Sequence, residues 1–461
     1  MNSLLLNRHL LIGLTLLLLL AQCQTKKSHP PVAPPKAAVF DSPIPETISY
    51  LAGPITFKLQ ELQEKINQKL DPVLVGKETE NGRLKGVISF RVKRLGSVQV
   101  QYADHQVNLS APLQMWLTKP FSKDTTPPKN PFCSLHVRLK STLNVTPNWR
   151  LACQTKFTDY EWIVRPQVRL LGKELSMQNL AQKILEKHRS SIESAIDSAV
   201  YNNLRLDDLV RPIWRDIQKP LLLSRDYGLW LAPKPISVAA GPISGDSQQL
   251  TVPIRIALET KTDLKPRPPI YPQTPLPLLQ KREHLSQTSD LHLMSFISYA
   301  DINRMLALTV NNRNKKLAMG SITIRKVSVH GDQRLLVVKA DVGGMLKETV
   351  YLRGRPAFDT LTNRLKIINL DFDTNEGNTD TETHKSLRKL LESLLSVSLD
   401  KDIAELPQTI NKAFEMADAG KRTDLGIQSF RFTPQRIAIR PNGIQALIKV
   451  KSTVKLTVNN L

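Results

Sequence analysis

Aromatic residues make up only 5% of this 461-residue chain. They are not interleaved with the basic residues, so stacking platforms for nucleic acid are not indicated and no nucleic-acid partner is expected. Cysteine is scarcer still, at three residues, and no Cys-x-x-Cys pair occurs, which removes the usual zinc and thiol-redox frameworks. A phosphate-binding Gly-Lys-Ser/Thr loop, a His-Glu-x-x-His helix and a Gly-x-Ser-x-Gly elbow are also missing. The nine histidines are scattered; His188 falls on an apolar helical stripe, where a core or rim residue is expected. No catalytic residue, metal site or cofactor is read from the chain, and a non-enzymatic protein is expected.

What the chain has in excess is positive charge. The 64 Lys and Arg against 41 Asp and Glu leave a formal charge of +23. That balance favours anionic partners, or else simply solvates a basic surface.

The first residues read as an address. Arg8 precedes the apolar run Leu10 to Leu20, which is too short to span a bilayer but suits a signal-peptide core. It ends in Leu20-Ala21-Gln22-Cys23, which resembles a bacterial lipobox, with Gln22 departing from the usual small residue. The resemblance implies a leader over residues 1–23 and a lipid anchor on Cys23. Gln24-Thr25 carries no Asp retention signal and Lys26-Lys27 no acidic export signal, which implies the outer membrane and its periplasmic face. Residues 24–45 hold six prolines and no periodicity; as a stiff tether they would reach about 60 Å at ~3.1 Å per residue.

About 415 residues remain, enough for two modules. An order of strand, helix, antiparallel strands, long amphipathic helix and return strand pair is written twice, over 46–264 and 290–461. The first helical stripe runs through Met177, Leu180, Ile184, Ile192, Ile196 and Ala199, the second through Leu387, Leu391, Leu395, Leu399, Ile403, Leu406, Ile410, Phe414 and Ala417. The return strands alternate as Leu250, Val252, Ile254, Ile256, Leu258 and as Ile444, Ala446, Ile448, Val450. Pro212 and Pro233 are expected to match Pro407 and Pro434. Between the modules, 265–289 opens with six prolines in thirteen residues, an interdomain strap. The expected fold class is α+β: two tandem modules, each a curved antiparallel sheet wrapped on a long helix.

Cys133 and Cys153 are the two cysteines beyond the anchor. In an oxidising compartment they would close a disulfide worth ~3 kcal/mol; the alternative is two small buried residues, since a hairpin turning at Thr146-Pro147-Asn148 puts Cys133 near Trp162. Asp371, Asp373, Asn375 and Glu382 hold positions 1, 3, 5 and 12 of a calcium-loop pattern, but Gly377 sits at position 7 and a strand enters it; the favoured reading is a solvated turn.

Ile55-Thr56-Phe57-Lys58-Leu59, Trp214-Arg215-Asp216-Ile217 and Trp230-Leu231-Ala232-Pro233 resemble an uncharacterised family of bacterial envelope lipoproteins, a domain of unknown function covering residues 45–461. The duplicated layout and strap are in turn similar to the tubular lipid-binding (TULIP) superfamily, that of the bactericidal/permeability-increasing protein. That resemblance implies a hydrophobic channel, and a protein that binds or transfers a lipid or other amphiphile. The alternative is a non-enzymatic envelope scaffold holding anionic polymers or partner proteins. The apolar lining of the channel is read as Ile184, Ile192, Ile196, Ile254, Ile256, Leu391, Leu395, Phe414, Ile448 and Val450. In a lipid tube, a tryptophan at Ile196 or Leu391 would displace acyl chain at little cost in stability.

Overall fold

The computed structural model describes residues 39–75, 90–117, 130–170, 173–225, 227–310, 313–317, 320–344, 347–373 and 382–459. The leader, Cys23 and most of the 24–45 tether lie outside the described residues.

The first half begins with β1 (Ser49–Lys58), which runs directly into α1 (Leu59–Lys69). Next come β2 (Val73–Val75), β3 (Phe90–Arg94), β4 (Gln99–Ala103), β5 (Gln106–Leu117), β6 (Cys133–Val145) and β7 (Leu151–Val164). They form an antiparallel sheet in the order β2-β3-β5-β6-β7, with β4 on β5. Every second residue of β5 from Val107 to Met115 is buried, and these face Leu135, Val137 and Leu139 of β6, the alternation of a sheet with one apolar face. The hairpin β8 (Gln167–Leu170) and β9 (Lys173–Ser176) leads to α2 (Gln178–Asn203) and α3 (Leu206–Asp216). α2 packs across β7 through Ala181, Leu185, Ile192, Ile196 and Val200, a stripe at helical spacing. The strands β10 (Leu221–Ser224), β11 (Leu229–Ala240), β12 (Ser244–Gly245) and β13 (Gln249–Leu264) then return.

The strap follows without helix or strand until β14 (Leu279–Lys281). It is latched to the first half by indole N–H groups: Trp230 donates to the Lys265 carbonyl (3.0 Å), Trp214 to Thr274 (2.9 Å) and Trp149 to Pro277 (2.8 Å).

The second half follows. β15 (Ser289–Ser298) runs into α4 (Tyr299–Val310), followed by β16 (Arg313–Leu317), β17 (Gly320–Asp332), β18 (Leu335–Gly344), β19 (Thr349–Asp359) and β20 (Arg364–Phe372) in sequential antiparallel order. Then come α5 (Glu382–Leu394), β21 (Val397–Ser398), α6 (Asp400–Glu415), a short 3-10 turn (Ala419–Lys421) and the long hairpin β22 (Thr423–Arg440) and β23 (Gly443–Val458). Each half has its own core: one is built on β5, β6, α1 and α2, the other on β17, β18, α4 and α5.

One sheet joins the halves, in the order β10-β11-β13-β1-β15-β23-β22. Ser49 to Lys58 pair with Leu258 to Gln249, and Ser289 to Ser298 pair with Ser452 to Gly443. The two triplets are therefore related by offsets of 240 residues for the first strand and 194 for the second. The seam obeys the same offsets. Ile55 beside Leu456 is answered by Ser295 beside Thr262, and the pair Tyr50–Asp290 is its own image.

Only that one residue pair links β1 to β15 directly, so neighbouring backbone groups need other partners. Two serines supply them reciprocally. The Ser289 hydroxyl accepts from the Ala52 N–H and donates to the Ala52 carbonyl, both at 2.9 Å. Under the same offset, the Ser49 hydroxyl accepts from the His292 N–H (2.9 Å) and donates to the His292 carbonyl (3.3 Å). Both serines are fully buried. Gly53 lets the strands approach, since a Cβ there would collide with the Val454 carbonyl oxygen.

Three expectations are corrected. The second amphipathic stripe is not one helix: α5 stops at Leu394, because the backbone of 397–399 bonds to β20 and its turn instead, with Val397 pairing Leu365 and Leu399 N–H donating to the Asn363 carbonyl. Pro212 and Pro407 do both lie inside helices, α3 and α6. Pro233 and Pro434 are not equivalent, however: Pro233 faces Thr260 and Pro434 faces Ile448, the counterpart of Ile254 opposite Ala240. The β22–β23 turn is tight, whereas residues 241–248 separate β11 from β13, and this displaces the prolines. Finally, Cys133 and Cys153 form no disulfide. Cys153 faces Leu143, ten residues along β6 from Cys133, and its thiol donates to Asp197 at 3.0 Å. Burial pushes both thiols up to about 12.

Replacing Ser289 by alanine strands the Ala52 N–H and carbonyl, and replacing Ser49 strands the His292 N–H, whose carbonyl still accepts from the Thr260 hydroxyl. Ser49→Ala and Ser289→Ala are each expected to lower unfolding free energy by about 1–3 kcal/mol, measured by denaturant titration. An unchanged midpoint in both would mean that the seam does not depend on them.

Candidate apolar binding face

Residues paired across adjacent strands share a face, so the registers sort the joining sheet into two sides. One side, here the inward face, takes Leu231 and Val238 from β11, the run Leu250 to Leu258 from β13, and Leu51, Ile55 and Phe57 from β1. It continues through Leu291, Leu293 and Ile297 of β15, Ile444, Ile448, Val450, Val454 and Leu456 of β23, and Leu425, Ile427, Phe430, Phe432 and Ile437 of β22. The outward face carries Lys234, Arg255, Glu259, Lys261, Asp290, His292, Lys449 and Lys451.

The ends of the inward face are filled. Phe57, Leu250, Val252, Val238 and Val458 belong to the first core, with Ile55, Ile254 and Ile256 packed at its margin, and Ile444 packs against the second. Between them the face is less covered. Leu51, Leu231, Ile254, Ile256, Leu291, Ile448, Val454, Leu456, Leu425, Ile427, Phe430 and Phe432 are all only half-buried. The sheet curls over this stretch, because α6 touches both of its edge strands, β10 and β22. The Ala419 N–H closes the curl by donating to the Asp216 carboxylate at the end of α3 (2.9 Å). α6 is a thin lid: Leu406 is its one fully buried residue, Ile403, Ile410 and Phe414 are half-buried, and Met416 just beyond it is 83% exposed.

The residues read from the sequence as lining therefore divide. Ile254, Ile256, Ile448 and Val450 share the inward face, and Phe414 lies on the lid that covers β22. Ile192 and Ile196 fill the first core, with Ile184 at its margin, and α2 packs across β7 and not over β13. Leu391 is fully buried in the second core, with Leu395 packed against it. What the sequence did not reveal was the half-buried run on β22, because the bulges at Ile427/Ser429 and Pro434/Arg436 break its alternation.

A separate cavity of about 120 Å³ lies where β1 enters α1, lined by Phe57, Leu62, Leu204 and Leu209 with Lys65 and Arg422 beside them. It is smaller than the ~300–1,000 Å³ of pockets for drug-sized ligands. Among the described residues no group of three or more His, Cys, Asp or Glu could hold a metal. Of the calcium-loop pattern, Asp373 pairs with Arg353 at 2.8 Å and Asp371 with Arg388 at 3.7 Å, while Asn375 and Gly377 lie outside the described residues. His188 is half-buried on α2, and burial and the nearby Lys187 lower its pKa.

The difference between filled core and open face is measurable. Leu391 is fully buried in the second core, so Leu391→Trp is expected to cost about 1–3 kcal/mol, where a lipid tube would tolerate it. Ile448→Trp on the half-buried face should shift the thermal midpoint much less. Equal, large losses in both would mean that the inward face is as tightly filled as the cores.

No curated protein matches the chain in sequence. Among solved structures it is similar to lipopolysaccharide binding protein, at 10% identity and a TM-score of 0.33, covering 90% of this chain and 100% of that one. It is also similar to the P47 proteins of Clostridium botulinum E1 (8% identity, TM-score 0.21, 88% and 98% covered) and A2 (11%, 0.22, 88% and 96%). The profile of the domain of unknown function DUF4403 matches residues 47–458, and the chain belongs to that family.

Proposed function

We propose that this protein binds a lipid or other amphiphile along the inward face of its joining sheet, under the lid formed by α6. The observation that carries the reading is the half-buried apolar run across six strands, between the two closed cores. A soluble protein gains by covering such a surface, since burial returns roughly 25 cal/mol per Å² of apolar area, and large exposed apolar patches mark ligand or partner sites. The ligand class follows from the geometry: a long, continuous, uncharged floor suits acyl chains. A phospholipid with two acyl chains is the first candidate. The role is binding or transfer and not catalysis, in keeping with a sequence that lacks nucleophile–base and metal motifs.

We further propose that the two halves arose by duplication, which the paired offsets of 240 and 194 residues support. Cys23 is proposed as the lipid anchor at the outer membrane, facing the periplasm, on the strength of the lipobox-like segment; Cys23→Ala would then release the chain from the membrane fraction. Among the described residues no helix is long and apolar enough to cross a membrane.

The test is lipid extraction and native mass spectrometry on protein purified from its own envelope. Lipid should be present at a defined ratio, and Ile256→Trp and Ile448→Trp should each reduce it while leaving the fold intact by circular dichroism. Wild-type protein free of lipid in gentle purification, with no uptake from added phospholipid, would remove the reading.

A further inference from the structure

The other side of the same hairpin carries a second surface. From Leu425 to the end of the chain there are six cations, Arg431, Arg436, Arg440, Lys449, Lys451 and Lys455, and no acid. The strand registers put them together on the outward face. Arg431 stands directly opposite Lys451, Lys449 lies two residues along β23, and Lys455 faces Gly426, which has no side chain to shield it. Arg431, Arg436 and Lys451 are exposed. The carboxylate of Asp290, opposite Lys451, is held by Lys449 at 2.8 Å, and that of Asp424, opposite Thr457, accepts from the Asn459 amide. Among the described residues no carboxylate comes within salt-bridge distance of Arg431, Arg436, Lys451 or Lys455.

Like charges directly opposite on a sheet are destabilising. A second such pair, Lys140 opposite Lys156 in the first half, shows that the pairing alone is tolerated. What sets the terminal hairpin apart is the scarcity of interspersed acids, with Asp424 near its far end the one carboxylate it carries: beside the first-half pair, Arg138 is matched by Asp159 and Glu161. Ser429 and Thr453, hydrogen-bonded to each other at 3.1 Å and exposed or half-buried, add hydroxyls between the cations. Along β22 and β23 no aromatic residue points to the outward face, and Phe296 of β15, opposite Gln445 and exposed, borders the strip; the surface offers charge and hydroxyls but no row of stacking platforms for bases.

The chain also enters the folded body on this face. The Asp41 carboxylate accepts from the Ile439 N–H (2.9 Å) and pairs with Arg355 (3.2 Å), and Arg440 donates to the Asp41 carbonyl. Gln445, an outward residue, brackets the backbone of Ile44 through both ends of its amide. The proline-rich segment that precedes Val39 therefore joins the body beside the basic strip.

We propose that the outward face of β22–β23 is a docking surface for an anionic lipid bilayer, with Arg431, Lys451 and Lys455 meeting head-group phosphates. It is independent of ligand binding on the inward face. Flat, strongly cationic and poor in aromatics, the surface matches an array of phosphates better than it matches nucleic acid, and the entry point of the tether puts it on the side from which the chain arrives.

The experiment uses the full chain carrying Cys23→Ala, so that no acyl group contributes, and measures co-sedimentation with vesicles of phosphatidylcholine alone or with phosphatidylglycerol. Binding should require the anionic lipid and fall with added salt as the Debye length shortens. Arg431→Gln with Lys451→Gln should weaken partitioning on the order of 10-fold or more, with the thermal midpoint unchanged or raised because a repulsive pair is gone. Lys140→Gln with Lys156→Gln, which removes the same charge from the first half, should leave binding within about twofold, since the full effect is assigned to the hairpin. Equal loss in both double variants, binding indifferent to lipid charge, destabilisation by the hairpin variant, or capture of oligonucleotide but not of vesicles would each overturn the assignment.

Discussion

The register at the β1–β15 seam constrains everything else in this molecule. A one-residue slip in a strand moves its whole side-chain set to the opposite face, and here the pairs across the seam, Tyr50 with Asp290, Ile55 with Leu456 and Thr262 with Ser295, set the parity for seven strands at once. With that parity both halves turn Leu250–Leu258 and Ile444–Val458 to the same side. The buried hydroxyls of Ser49 and Ser289 hold the seam by satisfying each other's strand, and Gly53 removes the one side chain that would wedge it apart. A joint made of backbone and small polar groups leaves the apolar side chains free for other work.

Two surfaces of opposite character follow. On the inward side, the curl carries both edge strands to α6, yet a helix with one fully buried residue cannot cover a floor six strands wide. The half-buried leucines, isoleucines and phenylalanines are the consequence. On the outward side, the first-half strands balance their charges through pairs such as Lys234–Glu259 and Lys261–Glu46, whereas on the terminal hairpin Lys449 alone of the outward lysines is so paired, with Asp290. The same alternation that makes one face greasy thus makes the other basic, and the +23 of the whole chain has a specific concentration and is not only a diffuse property.

Much of this was legible in the residues. Strict alternation over Leu250–Leu258 and Ile444–Val450 identified the return strands and their apolar side, because period-two patterning reports a sheet face directly. The α+β class followed from the same reasoning. The helices were read less well, since a 3.6-residue stripe says that a face is buried and not what buries it: Ile192, Ile196 and Leu391 carry the right pattern and fill closed cores. The stripe also ran unbroken through Ser396–Leu399, where backbone bonding to β20 prevailed over helical spacing. Prolines misled the alignment of the halves, because Pro233 and Pro434 stand at different registers of hairpins with unequal turns. Ser49 and Ser289 gave no sign of their role; a serine at a strand start reads as solvent-facing unless its partner strand, some 240 residues away, is known.

The central claim is that the inward face of the joining sheet is a lipid site. Its most direct test is a crystal structure of the protein loaded with phospholipid brominated along its acyl chains. The account expects anomalous bromine peaks along the curl between Ile256 and Ile448, beneath α6. Saturating lipid that leaves this face without bromine, or that places bromine only on the outward face, would contradict it.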